Sequence, residues 1–231
     1  MPIDSATKVA VFDFCETLAD FQTANAFVDY VRQQAGRFSI RCRHILFLAL
    51  SKGQVIKLLN TITKNRYSIG KILRLRELKG ISRETIDRMA LHYYTECVKP
   101  HLIATMVDKL RQLQNKGYAV GLSSGGYDVY LKYFVEDYAI DFCQCSELEF
   151  KNGRCTGRIV GTDCMREEKV KRLTATFGST PRESLAFSDS ISDLPLLKWA
   201  ASGVVVSRSK HQDWADKYQL QEIIWQNNER L

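Results

Sequence analysis

Val9-Ala10-Val11-Phe12 is an unbroken apolar run closed by Asp13, the pattern of a strand buried on both faces of a parallel sheet. Comparable runs recur at Ala119-Val120-Gly121-Leu122, Ser184-Leu185-Ala186-Phe187 and Gly203-Val204-Val205-Val206. Helical periodicity separates them, over Ile103–Lys116, Glu168–Phe177 and Leu194–Ala200. Between the first two strands the pattern is helical throughout residues 21–100. Phe27-Val28 pairs with Val31, Ile45 with Leu48-Ala49, and Ile86 with Met89-Ala90. Ser82, with Glu84 and Thr85 behind it, marks a helix start, and Pro100 closes the segment. Lys151-Asn152-Gly153 lies between Glu147–Phe150 and Arg158–Val160 as the turn of a hairpin, since Asn-Gly adopts positive φ at little cost. Alternating strand and helix predicts an α/β fold: a Rossmann-like, doubly wound, mostly parallel sheet. Its core is discontinuous, residues 1–20 plus 101–231. Residues 21–100 form a helical cap inserted after the first strand, so the cap would roof the strand end that carries Asp13.

Charge changes this picture. The net charge of +7 is uneven: residues 21–100 hold 15 Lys/Arg against 5 Asp/Glu, and the rest of the chain 18 against 21. A basic roof suits an anionic ligand, and a solvated helical face would look the same. Nucleic acid is an unlikely partner, because no reader motif accompanies the basic segment. Seven scattered cysteines and the lack of a targeting pattern point to a reducing cytoplasmic setting. Cys143, Cys145, Cys155 and Cys164 lack the paired spacing of a zinc site. The longest apolar run, Ile45–Leu50, is too short to cross a bilayer. Beside Arg41 and Arg43 it permits peripheral membrane contact, although a core stripe is the preferred reading.

Four patches carry candidate chemistry: Asp13-Phe14-Cys15-Glu16-Thr17, Ser123-Ser124-Gly125-Gly126, Lys169, and Ser188-Asp189-Ser190-Ile191-Ser192-Asp193. Three of them follow strand ends, where open α/β sheets bind ligands. A carboxylate can attack phosphorus. A hydroxyl followed by two glycines can offer Oγ and backbone N–H groups to phosphate oxygens, and a lysine adds fixed positive charge. Acidic residues four apart suit Mg²⁺. Three carboxylates (Asp13, Asp189, Asp193) against Lys169 would repel phosphate unless a divalent cation joined them. Taken singly, each patch also reads as a cap, a tight turn or a solvated side chain.

Together and in this order, the patches resemble the haloacid dehalogenase superfamily of phosphotransferases, in its phosphoserine-phosphatase-like branch. Ser124-Gly125-Gly126 and Asp189–Asp193 are the most branch-specific parts, and the likeness covers residues 8–20 and 101–225. The resemblance implies a Mg²⁺-dependent phosphatase acting through an aspartyl-phosphate on a small or lipid-linked anionic phosphate ester. It implies Asp13 as nucleophile and Mg²⁺ ligand, with the Cys15 backbone carbonyl and Asp189 as further ligands. Asp193 would hold a metal-bound water or Lys169. Lys169 would bridge Asp13 and the phosphoryl group, Ser124 and the Gly125 amide would grip phosphate, and Thr17 would steady the first loop within the phosphate-binding set.

Two positions depart from the family pattern. Cys15 stands where an Asp usually protonates the leaving oxygen and activates water. Cys15 could act as a weak donor, or the substrate could have an undemanding leaving group. Glu16 could substitute, although in an extended segment it would point the other way. Otherwise the fold is a catalytically weakened phosphate-binding or regulatory protein. Gln22 stands nine residues after the nucleophile, where phosphoserine phosphatases carry a Glu for the substrate amine, so phosphoserine is a poor substrate candidate. Substrate selection would fall to Arg41, Arg43, His44, Lys64, Arg66, Arg74 and Arg76. His44, His92, His101 and His211 lie away from the four patches.

Overall fold

A computed structural model describes residues 8–35 and 69–226 of the chain. Its centre is a six-stranded, wholly parallel sheet in the order β3-β2-β1-β6-β7-β8. The strands are β1 (Val9–Phe12), β2 (Ala119–Tyr127), β3 (Phe142–Ser146), β6 (Ser184–Ser188), β7 (Ser202–Arg208) and β8 (Gln221–Trp225). β1 lies inside the sheet, with Phe12 registered against Leu122 on one side and Phe187 on the other. The order reverses direction at β1, so the crevice at its carboxyl end is a topological switch point.

Period-two alternation decides which face each β1 side chain supplies. Ala10 and Phe12 join one core cluster, and Val9 and Val11 join another. The first cluster is covered by α1 (Thr23–Ala35), α3 (Arg83–Tyr93), α4 (Ala104–Asn115) and α5 (Asp128–Asp137), through residues such as Phe27, Ile86, Val107 and Phe134. The second is covered by α6 (Glu167–Phe177), α7 (Leu194–Trp199) and α8 (Asp213–Lys217), through Leu173, Leu196 and Ala215. Burying one such large apolar side chain stabilises the fold by about 1.5–3 kcal/mol. Helices on both faces make the sheet doubly wound, as the sequence pattern predicts.

Between β1 and α4 the described residues are helical: α1, then α2 (Ile69–Leu75), a 3₁₀ turn at Arg76–Leu78, α3, a π-helical turn at Tyr94–Val98 and a 3₁₀ turn at Lys99–His101. Ser82 caps α3 by accepting from the Thr85 N–H, as its Ser-x-Glu-Thr context suggests. The stretch with Arg41, Arg43, His44, Ile45–Leu50, Lys64 and Arg66 lies outside the described residues. No described helix is long and apolar enough to cross a membrane.

The hairpin forms from β4 (Leu148–Lys151) and β5 (Arg154–Ile159), with positive φ at Asn152 and Gly153. Its second arm starts directly after the turn, four residues earlier than the apolar pattern indicates. It also pairs with the segment before α3: Gly80 N–H donates to Cys155 O, and Cys155 N–H to Ile81 O, both at 2.8 Å. The backbones approach so closely that a Cβ on Gly157 would lie 2.9 Å from Arg76 Cα.

A larger correction concerns β2. The sequence reading ends this strand at Leu122 and makes Ser123–Gly126 a loop. The strand instead continues to Tyr127, re-pairing with Ser146 of β3 after an irregularity beyond Ser123. Polar side chains hid it from an apolar pattern, because this stretch faces a cavity rather than the core.

Candidate active site

The β1–β6 pair delivers the first two carboxylates. Asp13 follows the last residue of β1, and its N–H donates to the Phe187 carbonyl at 2.9 Å. Asp189 follows the last residue of β6. Lys169, in the first turn of α6, is almost fully buried. Its Nζ donates to Asp13 Oδ1 at 2.9 Å and to Asp193 Oδ2 at 2.5 Å. Ser188 Oγ donates to the same Asp193 oxygen at 2.8 Å. Asp193 therefore serves Lys169.

These charges shift one another. Burial pushes the Asp13 carboxyl above the usual carboxylate range, while the Lys169 ammonium pulls it back. Burial works against the Lys169 ammonium, yet Asp13 and Asp193 keep its pKa above the ordinary lysine value. Burial, together with Asp13 and Glu16, pushes Asp189 up to about 8. The site thus concentrates negative charge beyond what its lysine offsets.

Asp13, Cys15, Ser124, Gly125, Lys169, Asp189 and Asp193 line one cavity of about 420 Å³. Seven of the eight expected site residues meet there, although they come from distant parts of the chain. Thr17 is the exception. Expected among the phosphate-binding residues, it is instead fully buried and absent from the cavity wall. Its Oγ1 donates to Asp189 Oδ1 at 3.1 Å and accepts from the Asp189 N–H at 3.0 Å. Thr17 orients the carboxylate and touches nothing in the cavity.

Cys15 Sγ lies 3.1 Å from Thr23 Oγ1, which lies 2.8 Å from Tyr130 OH. Tyr93 OH donates to the Thr23 carbonyl at 2.8 Å. The thiol thus heads a hydroxyl chain running into α1 and α5. Burial and the Asp13 charge push the thiol up to about 11. Glu16 also faces the cavity. The expectation that it points away assumes extended backbone, but Glu16 has φ of 56° and the chain turns there. Gln22 Nε2 donates to Glu16 Oε2, so the two residues close one edge of the cavity together.

Among the basic residues expected to meet substrate, Arg74 lines this cavity but grips Asp29 through two nitrogens, at 3.0 and 3.1 Å. Arg76 instead borders a neighbouring cavity of about 230 Å³ between α2 and β5. His92, His101 and His211 line neither. Lys71, Asn25 and Met165 face the main cavity without having been singled out from the sequence. For Lys71 a signal existed: it precedes Arg74 by three residues and shares its helix face.

Among the described residues no three His, Cys, Asp or Glu side chains converge as a metal-binding cluster. The donor set still fits Mg²⁺, which takes one or two carboxylates and completes its shell with carbonyl, water and phosphate oxygens. Asp13, Glu16, Asp189 and Asp193 face the cavity against Lys71, Arg74 and Lys169. A phosphate dianion entering this balance needs a cation beside it.

A model of the haloacid dehalogenase-like hydrolase family matches residues 10–198. The chain belongs to this family. A haloacid dehalogenase-like core accounts for the parallel sheet and for a site built from the ends of β1, β2 and β6. Among curated relatives, a phosphoserine phosphatase of Methanocaldococcus jannaschii is 22% identical over 233 residues, covering 96% of this chain and 98% of that protein. One from Archaeoglobus fulgidus is 30% identical over 135 residues, or 57% of this chain, and the match spans only 37% of that protein's length. A crystal structure of a protein of unknown function from Bordetella pertussis Tohama I shares the fold, with a TM-score of 0.75. It is 21% identical, with 94% of this chain and 98% of that one covered.

Proposed function

We propose that this haloacid dehalogenase-like chain is a Mg²⁺-dependent phosphomonoester hydrolase that works through an aspartyl-phosphate on Asp13. The observation that carries the reading is the meeting of Asp13, Lys169, Ser124 and Asp189 on one cavity. The kinship with phosphoserine phosphatases supports it. The cavity volume suits a small phosphate ester, and a lipid-linked ester would extend beyond it. The helices after β1 act as the cap over this site.

In the first step an Asp13 carboxylate oxygen attacks phosphorus, and the bond from phosphorus to the ester oxygen breaks. Ser124 Oγ and the Gly125 N–H hold the phosphoryl oxygens, and Lys169 offsets their charge while keeping Asp13 aimed. The leaving oxygen takes a proton from the Cys15 thiol or from water. Water then attacks the aspartyl-phosphate, which releases inorganic phosphate and regenerates Asp13. Asp13, Asp189 and the Cys15 carbonyl would hold Mg²⁺, which supplies positive charge to the phosphoryl oxygens when bound.

A thiol is a weaker acid than a carboxyl group, and this one is hydrogen-bonded to Thr23. That favours slow turnover, with a phosphate-binding or regulatory role as the second reading. A panel of phosphomonoesters assayed with Mg²⁺ separates the two. The enzyme reading expects turnover that Asp13→Asn lowers by at least about three orders of magnitude. No turnover across the panel, restored by Cys15→Asp, would sink it in favour of the second reading. Because Gln22 offers a neutral amide engaged with Glu16, phosphoserine should rank low in the panel.

A further inference from the structure

Among the described residues, Lys71 of α2 reaches the Ser124-Gly125-Gly126 backbone at the end of β2, and its contacts are specific. Its Nζ donates to the Gly125 carbonyl at 2.6 Å and to Asp163 Oδ1 at 2.5 Å. Ser146 Oγ donates to the same Asp163 oxygen at 2.5 Å. Lys71 and Asp163 are both nearly buried, with side chains 12% and 10% exposed. The ion pair therefore joins α2 to the loop after β5 and to the end of β3, directly behind Ser124-Gly125-Gly126. A Cβ on Gly125 would lie 3.4 Å from Lys71 Nζ, an ordinary contact, and 3.0 Å from Met165 Cγ, so Lys71 packs directly over this backbone.

The peptide that Lys71 touches has a second end. The Gly125 carbonyl and the Gly126 N–H belong to one amide, and that N–H donates to Ser124 Oγ at 3.1 Å. An ammonium on the carbonyl draws electron density toward oxygen and strengthens donation from the N–H, since hydrogen bonds in a chain polarise one another. Ser124 Oγ is thereby fixed as an acceptor on its inner side. Its own O–H is left to point at an anion in the cavity that Ser124 lines.

We infer that Lys71 is a positioning residue for phosphate binding: through the Gly125–Gly126 amide it sets Ser124 as a donor, so that α2 docked on the end of β2 and phosphate in the cavity reinforce each other. This rests on the phosphohydrolase reading and assigns a regulator to the same site. Asp163 tempers the effect by sharing the ammonium. The coupling is reciprocal, so phosphate should also strengthen the docking of α2 through Lys71.

Opposite signs in two variants provide the test, with inorganic phosphate and Mg²⁺ as the probe and binding read by isothermal titration calorimetry. Lys71→Met should raise the phosphate dissociation constant about tenfold, the scale of one charged hydrogen bond. Asp163→Asn breaks the same ion pair but frees the ammonium for the loop, and should leave phosphate binding equal or tighter. An anchor that is merely structural predicts that both variants weaken binding in step with a lower Tm. Equal weakening in the two variants, or unchanged binding in Lys71→Met, overturns the inference. Should Lys71→Met fail to fold with Asp163 left unpaired, Lys71→Met/Asp163→Asn removes both charges and must show the tenfold loss. A wild-type protein with no phosphate affinity overturns the hydrolase reading as well, whereas tight wild-type binding with an indifferent Lys71 overturns the coupling alone.

Discussion

Thr17 shows how a residue outside the cavity wall can fix one that lines it. Its hydroxyl accepts from the Asp189 N–H and donates to the Asp189 carboxylate, fixing backbone and side chain at once. Carboxylates that serve as metal ligands depend on such partners for aim, and losing one typically costs about 10–100-fold in metal affinity. Thr17→Val keeps the shape and removes both bonds. It should weaken Mg²⁺ binding about tenfold or more, read from the Mg²⁺ dependence of thermal stability, while melting of the metal-free protein changes by only a few degrees. Asp13 and Asp189 were legible in the sequence because each follows a strand end, Lys169 because it opens a helix, and Ser124 through its two following glycines, although it lies inside β2. For Lys71 the spacing from Arg74 was too weak a signal, since a lysine on a basic helix looks solvated until Asp163 is brought beside it from 92 residues away. Glu16 was misread because one positive φ breaks the alternation that period-two reasoning needs.

At the scale of elements, the last strand is held by a clasp whose strength follows pH. His211 contacts Asp216 of α8 at 2.9 Å and Glu222 of β8 at 2.5 Å. Glu222 also accepts from Ser207 Oγ of β7 and from the Gln212 N–H. Hydrogen bonds to Glu222 and Asp216 raise the His211 pKa above its ordinary 6.5. A histidine with a raised folded value contributes its full stabilisation below the unfolded value, and that contribution fades as pH rises through the folded one. His211→Gln should therefore lower Tm at pH 6 and leave it nearly unchanged at pH 9, with a small effect because the pair is solvent-exposed. An equal loss of Tm at both pH values would show that the ring acts by packing. The elements themselves were legible wherever apolar runs were continuous, as in β1, β6 and β7. β8 carries Gln221 and Glu222 at its start, and the end of β2 carries Ser-Ser-Gly-Gly, so neither announces itself by hydropathy.

For the whole molecule, ligand and stability are linked. Burial and neighbouring carboxylates raise the Asp13 and Asp189 pKa values even with Lys169 bonded to Asp13, so Mg²⁺ together with inorganic phosphate or beryllium fluoride should raise Tm more than either component alone. At about 100 times the dissociation constant the gain is about 2.7 kcal/mol, or several degrees for a chain of this size. Differential scanning calorimetry checks this, and additive rather than cooperative shifts would argue against a shared site. The hydroxyl chain from Cys15 through Thr23 to Tyr130 crosses from the first loop into helices of two segments. Replacing Cys15 by a carboxylate therefore asks this chain to accommodate a second charge, which sets a stability cost against any gain in rate.

The order of the strands has one more consequence, in time rather than space. Asp13 and Lys169 lie 156 residues apart in the chain, and they meet only when the end of β1 and the start of α6 are brought to one side of the sheet. Local contacts cannot assemble such a site, and folding dominated by distant pairings is slow. Until those distant pairings form, the Asp13 carboxylate lacks the Lys169 ammonium that offsets its charge in the fold. Assembly of the cavity wall therefore waits on the fold as a whole rather than on any one segment.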